Sequence, residues 1–237
     1  KDQLIAIKEI VLDMEKDNIM YRLLQGDVGT GKTIVAFAAL YANFLRKRQG
    51  VLMAPTFELA VQHYQNALKV FASYPIKIAF LAGNSLKAKE RREILEGVKS
   101  GSIDIIISTN AVLTSEIEFS NLGLSIIDEQ QRFGVEQREA LVSKGNGNDL
   151  LMMSATPIPR TLAQIINADM EVSTLTEFPH GIRNVQTAVV TSVDPSIHKA
   201  IQKALDVKRQ IFIIAPKIEK GANEASSAES VYQDIKE

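Results

Sequence analysis

The 237-residue chain contains no cysteine and no tryptophan, and only three histidines. Without thiols it can form neither a disulfide framework nor a thiolate metal centre, which fits a reducing, cytoplasmic setting. His63, His180 and His198 are scattered and lack the spacing of a metal site, so surface or structural roles are expected. No apolar run nears the roughly 20 residues of a spanning helix, and no membrane partner is expected. The opening stretch KDQLIAIKEIVLDMEKD carries acids throughout, unlike a signal peptide. A charge excess is missing as well: 27 Lys and Arg against 28 Asp and Glu leave a net charge of −1. Any nucleic-acid contact must then come from a local groove and not from a basic whole. The remaining composition, 46% hydrophobic and 23% charged, is that of a globular chain and not a disordered one. Its length suits one large α/β domain, or one domain plus part of another.

Along the chain, short apolar runs alternate with longer amphipathic segments. Strands are expected at residues 21–25, 51–54, 77–81, 104–108, 124–128 and 150–154, with helices at 3–16, 32–48, 57–72, 86–100, 135–144 and 159–166. This alternation predicts a mostly parallel sheet with helices on both faces. Runs such as IDIIIS and LSIID are apolar without alternating, as strands buried on both faces are. The pattern breaks near EFPHGIRN, where Pro179 and Gly181 interrupt it. Beyond it, residues 187–191 and 210–215 read as further strands. Asp194 and Pro195 are placed to open a helix. The expected division is a first domain over residues 1–178, followed by a linker and the incomplete start of a second over 179–237.

Three stretches carry chemistry. GDVGTGKT, residues 26–33, places three glycines within six residues between a strand and a helix. Mid-element glycine costs about 0.5–1 kcal/mol relative to alanine, so such a cluster implies a backbone task. It fits the G-x-x-x-x-G-K-[ST] loop, in which backbone N–H groups converge on phosphate oxygens at a helix N-terminus. Lys32 would reach the β- and γ-phosphates, and the Thr33 hydroxyl would ligate Mg²⁺. LSIIDEQQ ends a buried strand in two acids. Asp128 would emerge at the carboxyl end of the sheet, where open α/β folds hold ligands, and could bind Mg²⁺. Glu129 would orient or deprotonate an attacking water. SATPIPR again follows an apolar strand, and its small hydroxyl residues could link the γ-phosphate site to a neighbouring surface. The KAKERR run, residues 87–92, could meet phosphates but is expected as a solvated helix face; Phe133 could wedge against a base but is expected as a packing residue.

Taken in order, GDVGTGKT, MAPTFELAVQHY, IISTNAVL, LSIIDEQQRFGVEQR and MSATPIPRTLA resemble the motor core of superfamily 2 helicases. More narrowly they resemble the RecG-type ATP-dependent DNA branch-migration helicases. The resemblance implies a RecA-like P-loop NTPase lobe, with the start of a second RecA-like lobe after it. It implies ATP and Mg²⁺ as cofactors and branched or duplex DNA as partner. It places Gln3 as the adenine-recognising glutamine, with Gly26, Gly29, Gly31, Lys32 and Thr33 around the phosphates and metal. Asp128, Glu129 and Gln131 fall in the acidic motif, and Ser154 and Thr156 in the motif coupling hydrolysis to movement. Pro55, Thr56, Ala82, Gly83, Thr109 and Asn110 fall on the segments that touch the DNA backbone. Gln131 and Asn110 stand where such helicases usually carry histidine. A glutamine amide can still hydrogen-bond to a γ-phosphate or bridge to Ser154, so altered coupling is expected before lost hydrolysis. The later motifs of a second lobe, and an amino-terminal wedge domain, would lie outside these residues. The chain by itself is therefore expected to bind nucleotide weakly and turn it over slowly. Two alternatives stay open: the motor of a transcription-repair coupling factor, which would partner RNA polymerase, and a nucleotide-binding scaffold without turnover.

Overall fold

Neighbouring apolar residues along these strands point to opposite faces, and both faces are buried. In the computed structural model, Leu24, Ile105, Ile107, Leu151 and Met153 join one hydrophobic cluster. Leu23, Ile106, Leu150 and Met152 join the other. That two-sided burial explains why these runs show no polar alternation. The structure describes residues 1–83, 87–156, 170–179, 181, 185–190, 195–215 and 231–233.

The elements are α1 (Asp2–Met14), β1 (Tyr21–Gly26), α2 (Lys32–Leu45), β2 (Gln49–Met53), α3 (Phe57–Val70), β3 (Ile78–Leu81), α4 (Ala88–Lys99), β4 (Ile105–Ser108), β5 (Leu122–Ile127), α5 (Val135–Val142), β6 (Asp149–Ser154), β7 (Glu171–Leu175) and α6 (Pro195–Asp206). Short 3₁₀ turns at Asn110–Leu113 and Gln130–Arg132 follow β4 and β5. The seven strands form one sheet in the order β3-β4-β2-β5-β6-β1-β7, and every described pairing is parallel. Residues of α1, α2 and α3 pack on one face, and residues of α4 and α5 on the other. The expected α/β architecture with helices on both faces is present.

The six strands expected up to residue 154 are all found, with ends shifted by up to two residues. The seventh, β7, escapes a periodicity reading because it is half exposed and carries Ser173 and Thr174 among its apolar residues. It nonetheless closes the sheet beside β1, and Arg22 in β1 reaches across to it. The Arg22 guanidinium donates to Asp13 Oδ2 (2.8 Å) and Ser173 Oγ (2.8 Å), and Lys16 also bonds Asp13. Burial works against a charged Asp13, but the bonds from Lys16 and Arg22 prevail and hold its carboxyl below the usual range. At the other end of α1, Asp2 Oδ2 accepts from Thr176 N and Oγ1 (2.8 and 2.6 Å). Helix α1 is thereby fixed to the sheet edge at both ends, which sets the position of Gln3.

The chain divides into two compact units, Lys1–Ile182 and Arg183–Glu237. In the second unit α6 begins at Pro195 as expected, whereas residues 185–190 and 209–215 are not in strands. The expected strand at 210–215 is corrected: Phe212 and Ile214 are 85% and 93% exposed. A parallel strand derives its hydrogen bonds and its burial from neighbours on each side, and no described residue pairs with this segment. The strand expected at 187–191 is corrected for the same reason over its described part. The helix expected at 159–166, His180 and Asp194 lie outside the described residues.

Candidate nucleotide and nucleic-acid site

Strand order decides which loops meet. At the carboxyl edge of the sheet Leu81 pairs with Ser108, Ser108 with Met53, Met53 with Ile127, and Ile127 with Met152. Gln25 pairs with Ser154. The loops after β3, β4, β2, β5, β6 and β1 therefore follow one another along one edge. The first three carry Ala82–Gly83, Thr109–Asn110 and Pro55–Thr56. The next three carry Asp128–Glu129, Ser154–Thr156 and the 26–33 loop.

In the 26–33 loop, Gly29 and Gly31 have φ of +90° and +91°, a left-handed backbone that favours glycine. At Gly26 a Cβ would come within 2.9 Å of both the Leu175 backbone oxygen and its Cβ, so only glycine lets β1 end this close to β7. Thr30 Oγ1 donates to Asp27 O (2.8 Å) and tightens the turn. Helix α2 then starts at Lys32 behind Gly31, with no side-chain cap on its first turn, which leaves backbone donors facing the loop. Lys32 Nζ folds back onto the carbonyls of Gly26 (2.6 Å) and Asp27 (3.2 Å). Partial burial lowers the pKa of this ammonium, while the carboxylates of Glu129, Asp128 and Asp27 oppose the shift. Gln3 Nε2 donates to Thr30 O (2.8 Å) and packs so tightly on the loop that a Cβ at Gly31 would lie 2.1 Å from it.

Across from the loop, Asp128 is buried and Glu129 follows it in the left-handed region at φ +50°. For a residue with a side chain this conformation costs of order 1–3 kcal/mol. The Asp128 carboxylate is held from two sides: Oδ1 accepts from Glu129 N (3.0 Å) and Oδ2 from His63 Nε2 (2.7 Å). Gln131 Nε2 donates to Glu129 Oε2 (2.6 Å), and Ser154 Oγ donates to Gln131 Oε1 (3.3 Å). Ser154 Oγ also lies 2.9 Å from Thr156 Oγ1. The bridge expected of Gln131 is thus in place: a chain of polar contacts runs from Glu129 through Gln131 to Ser154 and Thr156.

Gly29, Gly31, Lys32, Thr33, Asp128 and Glu129 line a single cleft of about 190 Å³, together with Leu59, Gln62, His63 and Asn66 of α3. Among the described residues no group of three or more His, Cys, Asp and Glu is placed to hold a metal. The oxygen donors here are instead a hydroxyl and two carboxylates, with the Lys32 ammonium beside them for phosphate. That set suits a hard cation which arrives with phosphate oxygens and keeps its waters.

The other half of the edge is built differently. Gly83, Thr109 and Asn110 line a second cleft of about 790 Å³, with Arg91, Thr114 and Glu116. Thr56 caps α3, its Oγ1 accepting from Leu59 N (3.3 Å). Buried Ser108 donates to Leu81 O and ties β4 to β3 beneath this cleft. Arg91 leaves the solvated face of α4 to bond Glu116 at 2.9 Å. Its neighbours in the KAKERR run are exposed and Phe133 is buried in the core, both as expected.

His63 is the residue the sequence reading missed. It was expected in a surface or structural role, yet it touches the acid at the centre of the cleft. The available signal was its place on the buried stripe of α3, between Ala60 and Ala67. A lone histidine among alanines on a buried face calls for a polar partner.

The profile of the DEAD/DEAH box helicase family matches residues 1–165, and the chain belongs to that family. It is 46% identical over 215 residues to the ATP-dependent DNA helicase RecG of Bacillus subtilis (strain 168), covering 90% of this chain and 31% of that protein. To the ATP-dependent DNA helicase RecG of Streptococcus pneumoniae serotype 4 it is 44% identical, covering 90% of this chain and 32% of the relative. The structure of RecG bound to a three-way DNA junction matches with a TM-score of 0.73 at 40% identity, over 86% of this chain and 27% of that one. The chain spans about a third of the length of the curated relatives it matches.

Proposed function

We propose that this chain is the nucleotide-binding motor lobe of a RecG-type helicase, which hydrolyses ATP with Mg²⁺ to remodel branched DNA during recombination and repair. On this reading residues 1–178 form the first motor lobe and residues 179–237 the linker and opening of the second. The parent protein works in the cytoplasm. Among the described residues no helix is long and apolar enough to cross a membrane. The observation that carries the proposal is the convergence of Lys32, Thr33, Asp128 and Glu129 in one cleft, in a chain 46% identical to a RecG over 215 residues. Similarity at that level to RecG favours it over the coupling-factor reading, and with it DNA over RNA polymerase as the partner. The scaffold reading is disfavoured by the intact acids.

In this assignment the bound magnesium nucleotide supplies the phosphoryl group to be transferred and the charge that draws oxygen ligands together. Lys32 leaves the carbonyls of Gly26 and Asp27 to meet phosphate, and the uncapped first turn of α2 presents N–H groups to the same oxygens. Thr33 and Asp128 would hold the metal, Asp128 through water. Glu129 holds and accepts a proton from the attacking water, with Gln131 fixing its carboxylate. Gln3 recognises the adenine edge beside the loop. Ser154 and Thr156 receive the state of the nucleotide site through Gln131. Pro55, Thr56, Gly83, Thr109 and Asn110 meet the DNA backbone, so binding there is sequence-independent and weakened by salt.

The test is ATP turnover by the full-length protein on forked and on linear duplex DNA, with Lys32→Ala alongside. Turnover stimulated more by the fork and abolished in Lys32→Ala is expected. Equal turnover in the two proteins, or no difference between the DNAs, would overturn the proposal.

A further inference from the structure

We infer that His63 is a positioning residue for Asp128, fixing the metal-side acid of the cleft and joining it to the helix that starts at the nucleic-acid half of the edge. This rests on the nucleotide-binding part of the function proposed above, and not on the remodelling of DNA.

An aspartate carboxylate is by itself loosely oriented. Its rotation about χ2 is a broad, soft torsion, so one hydrogen bond does not fix the plane of the two oxygens. Here Glu129 N takes Oδ1 at 3.0 Å, and that donor belongs to the same strained turn as the acid. The second point of support comes from outside the turn. His63 Nε2 lies 2.7 Å from Oδ2, 65 residues away in sequence, and both side chains are buried. A carboxylate accepts, so Nε2 carries the hydrogen in this contact.

A histidine serving only the core would be an expensive choice. Its Nδ1 is buried without a hydrogen-bond partner among the described residues, and an orphaned buried polar atom is destabilising. The rest of the buried stripe on α3 is alanine, so an apolar residue would meet the packing requirement without that cost. What an apolar residue cannot supply is a donor aimed at Oδ2. The arrangement matches the general need of a metal-side carboxylate for an outer partner that orients it, and losing such a partner typically weakens metal binding or activity about 10–100-fold.

The same contact has a mechanical side. Thr56 caps α3 at the edge segment assigned to DNA. His63 lies seven residues along the helix, about 10 Å at 1.5 Å per residue. A shift of α3 imposed at Thr56 is therefore delivered to Asp128 through one rigid element and one hydrogen bond.

The experiment measures binding, so it is independent of turnover. In the full-length protein, a fluorescent ADP analogue is titrated in EDTA and then at increasing Mg²⁺. His63→Leu fills the same space without a donor. It is expected to raise the Mg²⁺ midpoint about 10–100-fold, while affinity in EDTA falls by much less. His63→Gln restores an N–H at similar reach and is expected to bring the midpoint back close to wild type. A wild-type midpoint in His63→Leu overturns the assignment. So does an equal displacement in the Leu and Gln variants, or a loss of affinity in EDTA that matches the loss in Mg²⁺; either would make His63 a packing residue. If the wild type binds magnesium nucleotide with these shifts and yet shows no fork-stimulated turnover, the proposed function fails and the role of His63 stands.

Discussion

The two halves of the carboxyl edge are built from the same kind of strand but present different chemistry. After β5, β6 and β1 the side chains are already engaged: Lys32 with the carbonyls of Gly26 and Asp27, Asp128 with His63, Glu129 with Gln131, Gln131 with Ser154. After β3, β4 and β2 the edge offers turn backbone and small polar residues, with Arg91 and Glu116 as the charged pair in the cleft. The first half stores its interactions internally and must exchange them for a ligand's. The second holds little in reserve and is suited to a repetitive backbone that any sequence presents. Hydrolysis should therefore be sensitive to single side chains in the first half, while nucleic-acid affinity in the second should change in small increments.

The largest effect is expected at Glu129. Replacing it by Gln removes the proposed proton acceptor while keeping the turn, and ATP turnover of the full-length protein should fall by roughly 10²–10⁴, with DNA affinity in a mobility-shift assay unchanged. A matching loss of DNA affinity would break the division between the halves. Next comes Gly31→Ala, which puts a Cβ against Gln3 and forces a side chain into φ +91°. Left-handed strain of about 1–2 kcal/mol, with Gln3 displaced, should weaken nucleotide binding about ten-fold in an equilibrium titration. Smaller still is Gln131→Ala, which cuts the link between Glu129 and Ser154. The ratio of DNA-stimulated to basal turnover should fall about five-fold, and the basal rate should fall less. A loss confined to the basal rate would mean that Gln131 serves Glu129 alone.

The same contrast explains what could be read from the sequence. The central strands were legible because burial on both faces favours a run of apolar residues, as in residues 105–107, and β3 from its short IAFL run. The edge strand β7 was not, because Glu171 and Thr174 are exposed and even the buried Ser173 is polar. The glycine loop, Lys32 and the acids were legible because their chemistry is local, set by spacing within one turn. His63 was not, since its partner lies 65 residues away and only strand order brings β2 beside β5. The apolar run at 210–215 misled for the converse reason: hydropathy marks a capacity to pair, and pairing needs neighbours. Arg91 looked like one charge among several on a solvated helix, and nothing short of the fold turns it toward Asn110.

Arg91 gives the smallest and most discriminating effect, because the residue stands between the two readings of its half. Its side chain is only 28% exposed and its guanidinium is bonded to Glu116 at 2.9 Å, so a passing phosphate must compete with a carboxylate already in place. If the cleft carries a DNA strand, Arg91→Ala removes one phosphate contact. The slope of log affinity against log salt should then become shallower by about 0.9, with the loss equal across DNA sequences. Glu116→Gln should act in the opposite direction, since it frees the guanidinium and removes a like charge from the path of the backbone, and affinity at low salt should rise. Both shifts together place a strand between Gly83 and Asn110. An unchanged salt slope in Arg91→Ala would leave the pair as an ordinary tie between α4 and the loop before β5, and would move the nucleic-acid contact of this half to Pro55 and Thr56.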